Sequence, residues 1–339
     1  MSIHTVKEIA KQADVSPATV SRVLNGSKSV SAEKRERVLK VLKEWDLKSV
    51  PRQSTGSKTR SIGALLPPRP ESDSGAILRK LATLAGEMRP NWNLVLLPAG
   101  ILPMELEARH LRGELAGLLL IGPAAESTEL LDTLKRIPHV WLNSHRSGGG
   151  NTPTVLMGNE FAGRIAARYL LDAGCSRFWV LSIPSRNPGL PGRVSGFRFE
   201  LFSVDKTCET LEPALPPERA ELESCTEEEL ERALDGILPT FESDDGSGGL
   251  FIPEERLTAL FYRVHARRGG GKLPRLISCN YTPEYLAGLW PRPTTIDLGA
   301  HMLAELALKE LLRRISGEAP RADHIAAIVT PQLVPGDPV

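Results

Sequence analysis

The spacing of two short helices near the N-terminus constrains this chain more than any other feature of its sequence. Thr5 stands where it caps a first helix, and Glu8, three residues on, completes a capping box. Val6, Ile9, Ala10 and Ala13 then recur at helical spacing. Asp14-Val15 makes a break. Ser16 follows as an N-cap, with Pro17 at the first helical position, where a missing N–H costs nothing. The second helix is expected to run to about Leu24, with Val20, Val23 and Leu24 on its apolar side, and Asn25-Gly26 stops it. Ser31 caps a third helix whose apolar positions are Val38, Val41, Leu42 and Trp45. Two helices of two to three turns, joined by about three residues with a third packed across them, make the helix-turn-helix arrangement. A trihelical domain with a merely solvated polar face fits the same pattern.

Groove size gives that arrangement its chemistry. The major groove of B-DNA, about 12 Å wide, admits one helix, and the N-terminal residues of the second helix reach the base edges. Here those residues are Ser16, Pro17, Ala18, Thr19, Ser21 and Arg22. Arg22 can bond a guanine through two hydrogen bonds, while Pro17 and Ala18 offer only apolar contact, for example to a thymine methyl. Thr5, Ser16, Thr19, Ser21 and Asn25 are short polar side chains suited to phosphates, as is the main chain near Ser29 and Val30. Charge points the same way. The whole chain carries +1, but residues 1–60 hold 13 Lys/Arg against 6 Asp/Glu, a net of +7, and the remainder holds 29 against 35, a net of −6. A basic head on an acidic body suggests that one end meets a polyanion.

The string from Thr5 to Trp45 closely resembles the N-terminal domain of the lactose-repressor (LacI/GalR) family. The VS-x-x-TVSRVLN run at Val15–Asn25 and the V-S-x-x-x-R-x-x-V spacing at Val30–Val38 carry the resemblance. It implies specific binding to an operator in double-stranded DNA, with Pro17, Ala18 and Arg22 on the base-reading positions. Residues 46–60 are polar, with Pro51 and Gly56, and read as a linker. In the family a short hinge helix forms here on DNA and pushes a leucine pair into the minor groove, which bends the duplex. Arg52 matches the family's arginine, but Pro51 replaces its usual alanine and Ser54 falls on the wedge position. A serine cannot act as an apolar wedge. Weaker kinking is therefore expected, and Ser54→Leu is expected to tighten binding.

From Ile62 short apolar runs alternate with helical stretches. Strands are expected at 62–66, 94–97, 118–121, 139–142, 154–157, 178–183, 250–252, 276–279 and 295–297. Helices are expected near 75–88, 103–113, 127–136, 159–173, 194–203, 226–238, 254–268 and 299–316. Such alternation argues for parallel sheets in an α/β fold. The family resemblance extends here, with landmarks at Ile62-Gly63, Asn159, Gly163, Ala166, the R-x-x-G-F motif at Arg193, Gly196 and Phe197, and Pro293–Ile296. It implies a two-lobed domain like a periplasmic sugar-binding protein, with effector contacts at the strand ends. Some effector positions depart from the family. Its Asn-Asp pair reads Glu254-Glu255, its later Asp pair reads Asn280-Tyr281, and its Asp-Arg reads Asn143-Ser144-His145-Arg146. Asn143, Arg146, Arg193, Glu254, Asn280 and Tyr281 can still serve a sugar-like effector, through hydrogen bonds to hydroxyls and an aromatic face. A large domain that only dimerises, with no ligand, is the alternative.

Other function classes find little support. The longest apolar runs fall far short of the ~20 residues of a membrane span, and the N-terminus has no apolar signal segment. A cytoplasmic protein without membrane contact is expected. Cys175, Cys208, Cys225 and Cys279 show no metal or redox spacing, and the seven histidines show no ligand motif, so neither a metal nor a cofactor is expected. RRGGGK at Arg267–Lys272 lacks phosphate-loop spacing. There is no GxSxG elbow, and Ser195, placed at a helix start, has no assignable base, so an enzyme is not expected. Glu227–Glu229 after Thr226 are expected to charge a helix start. The tail PQLVPGDPV is too short for a heptad helix, which favours a homodimer through the large domain. The expected organisation is a DNA-binding domain at 1–48, a hinge at 49–60 and the effector-binding and dimerising domain at 61–339.

Overall fold

A computed structural model of the chain describes residues 6–24, 30–44, 60–66, 72–87, 92–98, 100–122, 128–143, 153–219, 221–318 and 326–337. Three helices open it: α1 (Val6–Gln12), α2 (Pro17–Leu24) and α3 (Ala32–Glu44). Ile9, Ala10, Ala13, Val20, Val23, Val38 and Val41 close a small core between them, with Val15 and Val30 packed against it.

Strand and helix then alternate. The order is β1 (Arg60–Leu65), α4 (Ser72–Glu87), β2 (Trp92–Leu97), α5 (Pro103–Leu111), β3 (Leu115–Ile121), α6 (Thr128–Leu134), β4 (His139–Leu142) and β5 (Thr154–Met157). Next come α7 (Asn159–Asp172), β6 (Arg177–Leu181), α8 (Gly189–Phe202), β7 (Glu209–Leu211), α9 (Glu227–Asp235), β8 (Gly248–Phe251), α10 (Glu255–Arg267) and β9 (Arg275–Ile277). The chain ends on α11 (Pro283–Leu286), β10 (Thr295–Asp297), α12 (Ala300–Ile315), β11 (Ala326–Val329) and β12 (Gln332–Val334).

The chain divides into two compact units. One comprises residues 1–155 with 304–326, the other 156–303 with 327–339, so the backbone passes between them three times. A six-stranded sheet runs in the order β11-β5-β4-β3-β1-β2, with parallel pairing from β2 through β5. Its central strand reads LAGLLLI and is buried on both faces, hence the near-continuous apolar run. The second unit holds a four-stranded parallel sheet, β7-β6-β8-β9. Trp179 meets Phe241 edge to face at 5.3 Å, and Phe241 meets Phe261 at 5.9 Å, inside its main core.

The parallel α/β architecture is the one expected from sequence. Three short strands were not expected: β7, β11 and β12, the last pairing antiparallel with β10. Another difference concerns α8, which begins at Gly189 rather than near 194, so Ser195 lies within the helix and not at its start. The Pro-Gly-Leu-Pro-Gly stretch resembles a loop, but Pro191 sits in the first turn, whose N–H groups have no intrahelical acceptor to lose. Asn187 Oδ1 accepts from Gly189 N–H at 2.9 Å and satisfies one of them. The acidic run does open α9, with Thr226 and Glu229 forming a reciprocal capping box.

Candidate nucleic-acid interface and polar cluster

The turn before α2 fixes how that helix is presented. Asp14 adopts φ 50°, a left-handed conformation that Asp tolerates better than most residues, and Arg37 of α3 donates to its carboxylate at 3.2 Å. Ser16 then caps α2: its Oγ accepts from Thr19 N–H at 3.1 Å and lies 2.9 Å from the Thr19 hydroxyl. Val20 and Val23 are buried and turn one side of α2 into the core. The opposite side follows by helical geometry. Ser16, Pro17, Ala18 and Arg22 are exposed and Thr19 is half-buried, so the first turns offer hydroxyls, an apolar patch and a guanidinium together. Ser21 lies in the same helix. Val30 packs its side chain on the head core. Thr5, Asn25, Ser29, Arg52 and Ser54 lie outside the described residues, and so does the expected hinge except Arg60, which opens β1.

In the second unit, four of the six expected effector residues come together around one arginine. Arg193 of α8 is fully buried. It donates from Nε to Asn159 Oδ1 at 2.9 Å, and from Nη1 to Pro253 O and Asn280 Oδ1, both at 2.7 Å. Asn280 donates through Nδ2 to Glu254 at 3.2 Å, and Glu254, the N-cap of α10, also accepts from Arg256 N–H at 3.0 Å. Asn280 and Tyr281 both have positive φ, 126° and 54°, an unusual pair of non-glycine conformations. Tyr281 presents an exposed ring beside the cluster's polar groups.

The group that holds this turn is Glu255, which was read from sequence only as a departure from the family pattern. It is completely buried and accepts from Tyr281 N–H at 2.8 Å, from Thr282 N–H and from the Thr295 hydroxyl. Burial pushes its carboxyl above the usual range, and these three donors oppose the shift. Asn159 was likewise a landmark rather than a site candidate. The remaining candidates are not in this cluster. Asn143 lies in the first unit, at the end of β4, buried at φ 51° with its Oδ1 lacking a hydrogen-bond partner. Arg146 is outside the described residues.

Among the described residues no group of three or more His, Cys, Asp or Glu is placed to hold a metal ion, and no helix is long and apolar enough to cross a membrane. Cys175, Cys225 and Cys279 are buried, Cys208 is half-buried, and none of the four is in a disulfide.

Residues 5–48 match the family described as bacterial regulatory proteins, lacI family. The chain is 30% identical over 206 residues to the HTH-type transcriptional repressor PurR of Klebsiella pneumoniae, covering 57% of this chain and 58% of that protein. It is 28% identical over 177 residues to the HTH-type transcriptional regulator RegA of Clostridium acetobutylicum, covering 50% and 52%. The matches thus span less than two thirds of these relatives. Among solved structures, a transcriptional regulator CelR–cellobiose complex superposes over 98% of this chain and 99% of its own, with a TM-score of 0.60 and 19% identity. The lac repressor dimer bound to operator and the anti-inducer ONPF covers 99% and 98%, at 0.61 and 17%. A LacI family regulator from Enterococcus faecium with bound ribose covers 82% and 97%, at 0.63 and 18%. These last three likenesses establish the fold.

Proposed function

We propose that the chain, whose residues 5–48 match the lacI family of bacterial regulatory proteins, is a dimeric, sequence-specific DNA-binding repressor of carbohydrate-related genes, controlled by a small sugar-like effector. It works in the cytoplasm and catalyses no reaction. Its head spans residues 1–48, its hinge 49–60 and its regulatory body 61–339.

The observation that carries this reading is the exposed first turn of α2, with Val20 and Val23 anchoring the opposite side. Ser16, Pro17, Ala18, Thr19, Ser21 and Arg22 meet the operator, Arg22 reading a guanine. A dimer supplies the second half-site that one helix-turn-helix requires, one turn of DNA away. Selection from a random duplex pool returns a palindrome with fixed half-site spacing. Arg22→Ala then loses about 1–3 kcal/mol of discrimination at one position of each half-site. Retention of full discrimination by that variant at matched ionic strength removes the reading.

The effector is held by Arg193, Glu254, Asn280 and Tyr281 in the second unit. Asn143, with its orphaned oxygen, is the first unit's candidate contact for a hydroxyl donor. One observation favours the second reading, a body that only dimerises: Arg193, Asn159, Asn280 and Glu254 already bond one another. A thermal-shift screen with sugars separates the two, since a ligand of the folded state raises Tm by mass action.

A further inference from the structure

The chain contains eight phenylalanines, and five of them, Phe178, Phe197, Phe241, Phe251 and Phe261, are buried. The other three, Phe161, Phe199 and Phe202, are 47%, 55% and 75% exposed, and all belong to the α7–α8 pair of the second unit. They form one patch. The Arg164 guanidinium lies 4.4 Å from the Phe199 ring centre and 5.9 Å from that of Phe161, a cation held between two aromatic rings. Its Nε is buried without a hydrogen-bond acceptor. Phe199 and Phe202 in turn line an open hollow of about 430 Å³, completed by Arg198, Lys206, Thr207 and Cys208. Val204, 47% exposed, follows on the same stretch of chain. Scattered exposed apolar residues need no explanation, but a contiguous aromatic patch marks a surface that something covers.

Charge says what covers it. Arg198 and Lys206 line the hollow and no carboxylate does. Glu200, on the same helix, is buried and engaged by Arg168. We infer that the α7–α8 face docks an acidic segment of another protein that carries apolar side chains. One apolar side chain seats between Phe199 and Phe202, and flanking carboxylates meet Arg198 and Lys206. A two-fold pairing of the face with a second copy sets the same cations against each other, which like-charge repulsion opposes. A bilayer surface is the competing occupant for a basic face with exposed phenylalanines, and the vesicle arm of the test decides for or against it. The face lies on α7 and α8 and uses none of the residues assigned to DNA, so the inference stands apart from operator binding.

The test uses the full chain and a labelled amphipathic peptide with Leu and Phe at i, i+3 and i+4 spacing and Glu between them. The same peptide with Lys for Glu and vesicles of anionic phospholipid complete the set. Anisotropy is expected to show the Glu peptide binding, the Lys peptide failing, and added salt weakening the complex. Phe202→Ser and Lys206→Glu are each expected to weaken it at least about tenfold, as for a central anchor and a facing charge. Both side chains are exposed, so the melting curve stays unchanged. Several results overturn the inference: no binding of the Glu peptide, equal binding of both peptides, or binding indifferent to both substitutions. It also fails if sedimentation shows a self-association that Phe202→Ser abolishes, or if that substitution releases the protein from vesicles and leaves the peptide bound.

Discussion

Glu255 is the residue on which the polar cluster of the second unit turns, and its chemistry is testable apart from any ligand. A buried carboxylate accepting from Tyr281 N–H, Thr282 N–H and Thr295 holds two consecutive positive-φ residues in place. Because burial raises its folded-state pKa, the folded chain keeps this proton at a pH where the unfolded chain has lost it. Stability from this group is therefore full below the ordinary glutamate range. It falls as pH rises towards the raised value and is flat above it. Glu255→Gln cannot titrate. The melting temperature of the parent minus that of the variant is expected to drop across that window, and a difference flat in pH contradicts it. Arg193, Glu254, Asn280 and Tyr281 were legible as candidates because each follows a strand end or a family motif. Glu255 was not, because its partners are 26 to 40 positions away and only register brings them together.

At the scale of elements, the α7–α8 pair shows what the sequence landmarks are for. A Cβ on Gly163 would stand 1.9 Å from Arg193 O, and one on Gly196 would stand 2.0 Å from Glu160 O. The two helices touch backbone to backbone, so the glycines of the R-x-x-G-F motif and its partner helix exist to allow the approach. That approach also places Arg193 Nε against Asn159. Gly163→Ala or Gly196→Ala is expected to cost about 3 kcal/mol, since two backbones must separate, and to loosen the Arg193 cluster as well. Denaturant unfolding measures the first. The second is read by hydrogen exchange: the amides of Asn280 and Tyr281 should exchange faster even where the fold survives. Unchanged stability in both variants contradicts the close packing. Long apolar strands such as β3 and capped helices such as α9 could be read in the sequence because their signals are local. The start of α8 and the three-residue strands β7 and β12 could not, because a first-turn proline resembles a loop and short strands exist only through their neighbours.

At the scale of the whole molecule, the head and the α/β body differ in how much they bury. Among the described residues the head core gathers seven small side chains, Ala and Val with one Ile, and the main core of the second unit eighteen, including Trp179, Phe241 and Phe261. A core in a domain of this size rarely supplies more than about 3–5 kcal/mol. The head is therefore expected to melt first, in a small separate transition below that of the body. On the proposed function, operator DNA binds the folded head and not the unfolded chain. At a free concentration of one hundred times Kd it adds about 2.7 kcal/mol to the head alone. For so small a domain, each kcal/mol moves Tm by roughly 4–8 °C, so the first transition should rise by on the order of 10 °C while the body transition stays in place. A sugar bound by the Arg193 cluster should do the converse, raising the body transition first. Calorimetry of the full chain, with and without operator duplex, distinguishes this from a single transition that shifts as a whole. That outcome would mean that head and body fold as one cooperative unit, and that the boundary proposed near residue 48 does not divide the stability of the molecule.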